Sequence, residues 1–280
     1  ETHDPTVPRP RLTDLLDEGA RRRLTVVCGP AGSGKSTLLA EWIRRRNDPV
    51  AWLSLDAYDN LFQRFWVHLT AALDKIHPHF YEQLAPALAD LRPAAVQVLL
   101  FPLLNRLSAE RKRFILVLDD FHAVTNPVVH RSFLYFLERL PPHIHCAVAA
   151  RQEPPLPLPR FAADGQLVYV SGRQLNFTLD EGTEYCRLMD AGLTERQIGE
   201  LMDRTEGWIA GVKLALLSRR TQDGTVRLSG WMPERSSGIS DYLLQEVFMR
   251  LPREDRRFLL HTSILLKMNP SLCDEVTGRA

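Results

Sequence analysis

Residues 29–36 read Gly-Pro-Ala-Gly-Ser-Gly-Lys-Ser and fill every fixed position of the pattern G-x-x-x-x-G-K-S/T. The five residues before it, Leu24-Thr25-Val26-Val27-Cys28, are an apolar, β-branched run of strand type, and Thr37 to Ile43 after it carry helical spacing. Strand, glycine loop and helix is the context that lets such a loop hold phosphate, so the segment predicts an α/β fold built around a nucleotide.

The charge of a triphosphate explains each residue type. Gly29, Gly32 and Gly34 permit backbone angles and close approaches that a side chain would block, so that successive N–H groups can turn toward phosphate oxygens. The helix opening near Lys35 adds the positive end of its dipole. Lys35 can reach the outer phosphates, and the Ser36 hydroxyl can ligate a magnesium ion that keeps most of its waters. The candidate nucleotide contacts here are Gly29, Ala31, Gly32, Ser33, Gly34, Lys35, Ser36 and Thr37.

A second landmark is Phe114-Ile115-Leu116-Val117-Leu118-Asp119-Asp120. A continuous apolar strand ending in carboxylates is the pattern of a buried parallel strand whose carboxyl end reaches a ligand crevice. Asp119 is the candidate metal ligand across from Ser36, and Asp120 the candidate group that orients or deprotonates an attacking water. A third such strand, His145 to Ala150, ends at Arg151. From the residues alone Arg151 is equally a surface arginine and a group that reaches a γ-phosphate. Strands at Val50–Leu55 and Leu167–Val170 bring the number to five.

The remaining segments suggest how the chain is divided. The first eleven residues hold three prolines and are expected to be extended, followed by a short amphipathic helix to Gly19. From Thr178 onward the pattern is helical only, with capping boxes at Thr178-x-x-Glu181 and Thr194-x-x-Gln197. A further helix after Gly207 puts Trp208, Val212 and Leu216 on one face, most simply a core face. Residues 221–238 are polar and glycine-rich, as in a linker, and helices are expected near 240–250 and 253–262. The expected division is a nucleotide-binding domain over 1–175, a helical domain over 176–222, a linker over 223–238 and a further domain from 239.

Composition narrows the partners. A net charge of +1 creates no global field for nucleic acid or membrane, although most of the 35 basic residues are arginine. The four cysteines, at 28, 146, 186 and 273, form no C-x-x-C pair, so neither a disulfide framework nor a zinc site is implied. No charged and apolar leader opens the sequence, and no apolar run approaches the roughly 18 residues of a membrane span. A reducing cytoplasm, without a membrane partner, is the expected setting.

Several separated stretches together resemble the MalT-type branch of the STAND class, signal-transduction ATPases that include large LuxR-type transcriptional activators. They are Val7-Pro8-Arg9-Pro10-Arg11-Leu12, the phosphate loop, Trp52-Leu53-Ser54-Leu55-Asp56, Leu118-Asp119-Asp120-Phe121-His122, Ala150-Arg151-Gln152-Glu153-Pro154-Pro155-Leu156 and Glu206-Gly207-Trp208-Ile209-Ala210-Gly211. The resemblance implies a P-loop NTPase domain with a five-stranded parallel sheet in the order 5-1-4-3-2, an all-α helical domain and the start of a winged-helix domain over 239–280. It also implies that Val7 and Arg9 lie by the adenine and that Arg151 is a sensor arginine. One departure is that Gly211-Val212-Lys213-Leu214-Ala215 replaces the Gly-Leu-Pro-Leu-Ala that related proteins often carry. The proline contact with the base is therefore not expected.

The function this implies is a regulatory switch that binds ATP or ADP with Mg2+, rests with ADP, self-associates with ATP and hydrolyses slowly. Its catalytic residues would be Lys35, Asp120 and Arg151. Inducer and DNA would be met through C-terminal domains outside this sequence, which is expected to be an N-terminal fragment. The alternatives are a productive P-loop ATPase or kinase, and a scaffold whose nucleotide is only structural.

Overall fold

The computed structural model describes residues 6–89, 91–110, 112–220, 244–245, 248–265 and 268–278. Five parallel strands carry the fold: β1 (Leu24–Cys28), β2 (Val50–Ser54), β3 (Phe114–Asp119), β4 (Ile144–Ala150) and β5 (Leu167–Val170). They lie in the order β5-β1-β4-β3-β2, the order that the family resemblance implies. Every residue of β1, β3 and β4 is buried, whereas β2 and β5 each expose one residue and half-bury others. That difference follows from position, because the central strands are covered on both faces and on both edges.

Alternation along each strand divides the core into two layers. Leu116, Leu118, Cys146 and Val148 point into one, with Phe65, Trp66, Leu103, Phe133 and Phe136. Ile115, Val117, Ala147 and Ala149 point into the other, with Leu12, Leu16, Leu38, Leu39 and Trp42. The first layer is covered by α3 (Phe62–Asp74), α4 (Phe80–Ala89), α5 (Val96–Ala109) and α6 (Pro127–Arg139), and the second by α1 (Pro10–Gly19) and α2 (Lys35–Arg44).

One local expectation needs correction, and one helix comes in addition. The extended start is shorter than eleven residues, because Pro10 and Arg11 already belong to α1. Proline is tolerated there since the first N–H of a helix has no intrahelical partner to lose. The sequence reading also does not anticipate α4, which keeps Pro86 inside it and buries Phe80, Leu84 and Leu88. Tertiary burial of that apolar stripe outweighs the helix-breaking tendency of one proline.

Between β4 and β5 lies α7 (Leu158–Ala163), and after β5 come α8 (Gly172–Leu175), α9 (Leu179–Leu188) and α10 (Glu195–Thr205). Both expected capping boxes are present: Thr178 accepts from Glu181 N and Thr194 from Gln197 N. The chain divides into two compact units, Glu1–Ala210 and Gly211–Ala280. The second contains most of the helix Ile209–Arg220 and the helices Arg253–Thr262 and Pro270–Thr277, the latter capped by Asn269. The expected linker at 221–238 and most of the expected helix at 240–250 lie outside the described residues. Among the described residues no helix is long and apolar enough to cross a membrane.

Candidate nucleotide-binding site

The phosphate loop leaves β1 at Cys28 and ends where α2 begins at Lys35. Its glycines are required for different reasons. Gly32 and Gly34 adopt φ of 69° and 78°, the left-handed region that L side chains rarely enter. Gly29 is needed for space: a Cβ there would fall 2.8 Å from Leu175 Cδ1 and 3.0 Å from both Gly172 Cα and Ser33 Oγ. Gly34 is crowded as well, since a Cβ would meet Ile209 Cδ1 at 2.8 Å.

The loop carbonyls are widely engaged. Lys35 Nζ donates to the carbonyls of Gly29 and Pro30, each at 2.8 Å. Ser33, itself buried, donates from Oγ to Pro30 O at 2.9 Å. The carbonyl of Ala31, also a buried residue, accepts from the Trp208 indole at 3.0 Å, and that of Gly32 from the Ala210 N–H at 3.0 Å. Ser36 and Thr37 are exposed on the first turn of α2.

Across from that turn, β3 delivers Asp119. Burial pushes its carboxyl above the ordinary value, against a hydrogen bond from Ser36, and the neighbouring Asp120 pushes the same way. A buried carboxylate bonded to a serine hydroxyl is a pair of hard oxygen donors, and this fits Mg2+. Asp120 follows in the left-handed conformation, φ 54°, with its N–H on Asp119 Oδ1 at 3.0 Å and its carboxylate half-exposed. His122 Nδ1 lies 3.8 Å from Asp120 Oδ1.

Arg151 follows β4 and is half-buried. Burial lowers the Lys35 ammonium pKa, the charge of Arg151 lowers it further, and Asp120 and Asp119 oppose both. Those mutual influences draw Lys35, Asp119, Asp120 and Arg151 into one electrostatic cluster at the carboxyl edge of the sheet, with Ser36 on Asp119.

Val7 and Arg9 are buried. The Arg9 guanidinium donates to Asn176 O at 3.2 Å and to Leu175 O at 2.5 Å, lies 3.4 Å from Glu181 Oε2 and sits over the Phe177 ring. Arg11 holds the same carboxylate through two bonds, at 2.8 and 2.7 Å. Burial alone would raise the Glu181 carboxyl, but Arg11 and Arg9 hold it below its ordinary value. Leu175 links this knot to the phosphate loop, since it also crowds Gly29.

Two parts of the site escape the sequence reading. Asn60 ties the turn after β2 to the segment after Asp120: its Nδ2 donates to Ala123 O at 2.8 Å, and its Oδ1 accepts from the N–H groups of Thr125 and Asn126 at 2.7 and 2.9 Å. Polar residues in a loop gave no signal for that role beyond Asp56-x-x-Asp59-Asn60, which forms a capping box. Trp208 is the other. The expectation that it is simply core is corrected: it precedes the helix, is only half-buried and bonds the loop backbone. Helical spacing cannot distinguish a tryptophan used for its apolar ring from one used for its N–H.

Comparison with known proteins finds relatives of both parts of the chain. The AAA ATPase domain family matches residues 9–149, just over half of the chain, and the MalT winged helix domain family matches residues 244–280. HTH-type transcriptional regulators MalT of Cronobacter sakazakii and Serratia proteamaculans are 33% and 34% identical over 98% of the chain. The chain spans 30% of the length of each of these relatives. Among solved structures, a STAND protein with a tetratricopeptide repeat sensor from Pyrococcus horikoshii aligns with a TM-score of 0.57 at 16% identity, covering 98% of this chain and 37% of that one. A Walker-type ATPase of Pyrococcus abyssi aligns with a TM-score of 0.61 at 17% identity, covering 98% and 84%.

Proposed function

We propose that this chain, which belongs to the AAA ATPase domain family, is the nucleotide-operated part of a MalT-type transcriptional regulator of the STAND class. The observation that carries the reading is the cluster of Lys35, Ser36, Asp119, Asp120 and Arg151 around one loop mouth.

ATP and ADP are the ligands. Backbone N–H groups of Gly32 to Thr37 bind phosphate, and Lys35 exchanges its two loop carbonyls for the outer phosphates. Ser36 and Asp119 hold Mg2+, which neutralises charge on the phosphates when bound. Asp120 orients or deprotonates the attacking water, and Arg151 senses the γ-phosphate. On the base side, the apolar Val7 and the backbone of residues 7–9 face the adenine, because the Arg9 guanidinium is already engaged.

The nucleotide acts as a switch through differential affinity for two conformations. ADP favours a resting state, ATP favours one that self-associates, and slow hydrolysis restores the first. Inducer and DNA are met by other parts of the full-length regulator, in the cytoplasm. Support comes from the MalT relatives, whose name is that of a transcriptional regulator, and from the match to their winged-helix domain.

The test is the nucleotide released by denaturation from the purified protein, followed by oligomer size with ADP and with ATP. Near one ADP per chain and a larger assembly with ATP are expected. An empty site with rapid turnover, or one assembly size with both nucleotides, would refute the switch.

A further inference from the structure

We propose that Trp208 and Ala210 are positioning residues of the nucleotide site, which aim two of its phosphate-binding N–H groups. The inference rests on the phosphate-binding role given above to the loop at 29–36.

In a trans peptide the C=O of one residue and the N–H of the next point in opposite directions. The Trp208 indole N–H binds the carbonyl of Ala31 at 3.0 Å, which turns the Gly32 N–H away from Trp208. The Ala210 N–H binds the carbonyl of Gly32 at 3.0 Å, which in the same way turns the Ser33 N–H away from Ala210. Two consecutive peptide planes of a glycine-rich loop are thereby oriented by a segment that begins 177 residues further along the chain. Glycine makes such orientation necessary, since Gly32 has little intrinsic preference to keep its φ of 69°.

The segment that carries these donors is itself built in place. Gly207 adopts φ 70°, its N–H is bonded to Met202 O at 3.2 Å and its carbonyl accepts from Phe177 N at 2.8 Å. Trp208 N–H closes the turn on Thr205 O at 2.8 Å. Ile209 then fills the space that the missing side chain of Gly34 leaves. Lys35 differs in kind from Trp208 and Ala210: phosphate competes for its ammonium, whereas an indole and an amide on the outer side of the loop stay where they are. The clasp therefore persists through binding and lowers the ordering cost that a flexible loop would otherwise meet.

The experiment compares the protein with its Trp208→Phe variant, which keeps an aromatic ring and removes the donor. Affinity for Mg·ADP is measured by calorimetry, amide exchange of residues 31–34 is followed without nucleotide, and thermal unfolding is recorded on the same samples. Expected are a roughly tenfold weaker affinity, faster exchange confined to Gly32 and Ser33, and an unfolding midpoint lower by no more than the about 2–4 °C that one neutral hydrogen bond is worth. Equal affinity and equal exchange in the two proteins would overturn the proposal. So would exchange that accelerates throughout residues 24–44 with a lowered midpoint, which is the signature of a packing role alone. If the unsubstituted protein fails to bind Mg·ADP, the nucleotide reading falls, and the exchange at Gly32 and Ser33 still decides whether Trp208 aims the loop.

Discussion

Cys28 and Ala150 stand opposite each other in register as the last residues of β1 and β4, and the next N–H along β1, that of Gly29, donates to Ala150 O at 3.1 Å. The phosphate loop and Arg151 therefore leave the sheet side by side. Pairing of two apolar strands is what places an arginine where its charge bears on Lys35. Replacing Arg151 with Ala is expected to weaken ATP binding roughly tenfold and ADP binding much less, because only a γ-phosphate would reach it. Competition binding of the two nucleotides measures the ratio; an unchanged ratio removes Arg151 from the site.

The proposed role of Asp119 as a metal ligand runs against stability. Its carboxylate is buried and titrates above the ordinary range, so in the absence of a cation it is a cost to the fold. Asp119→Asn keeps an acceptor for Ser36 and for the Asp120 N–H while removing the charge. The nucleotide-free variant should unfold about 2–4 °C higher, the equivalent of about 1 kcal/mol, and lose the additional stabilisation that Mg·ADP gives. Thermal unfolding with and without Mg·ADP reads both effects.

Asp120 lies in a different environment, half-exposed and held in the left-handed conformation beside Asp119. Asp120→Asn should bind Mg·ATP within about threefold of the unsubstituted protein and slow single-turnover hydrolysis by about 10²–10³, the scale of a lost general base. Hydrolysis at the original rate would leave Asp120 without a catalytic part.

His145 gives the fold a pH dependence on the acid side. Its pKa is lowered from 6.5 to about 4, chiefly by burial and also by the Arg46 and Arg113 charges, against the hydrogen bond of its Nδ1 with Arg22 O at 2.9 Å. In the unfolded chain the ring is protonated below about pH 6.5, while the folded ring resists protonation down to about 4, so the unfolded state binds more protons in that window. Its contribution is fully present above pH 6.5 and is lost progressively toward pH 4, by about 3 kcal/mol in all. Urea unfolding between pH 4.5 and 8 should show that slope, and His145→Leu should flatten it whatever its effect at neutral pH.

Gly207 and Gly165 separate crowding from backbone strain. Both have positive φ, 70° and 65°, but a Cβ at Gly207 would fall 2.4 Å from Phe177 O, whereas nothing lies within 4 Å at Gly165. Alanine at 165 should cost about 1 kcal/mol and at 207 about 3 kcal/mol, measured by urea unfolding. Equal losses would mean that the turn can move away from Phe177.

The site was legible where its chemistry is local. Lys35 and Ser36 belong to a continuous motif, and Asp119 ends an apolar run whose length and composition reveal a buried strand. The resemblance implies that Arg9 lies by the adenine, and nothing in the sequence tells that its guanidinium meets Leu175, Asn176, Glu181 and Phe177. Glu181 looked complete as the third residue of a capping box, and it serves that box and both arginines together.

By itself the sequence determined the strand, loop and helix around residues 29–36 and the layered α/β core, because these depend on glycine positions and on apolar periodicity within a few turns of chain. Tertiary structure alone decided that Trp208 bonds Ala31, that Asn60 secures the segment after Asp120 and that Glu181 receives Arg9 and Arg11. Those pairings join residues brought together only by the path of the chain. A polar group is silent about its partner until burial has removed water and left one partner within reach.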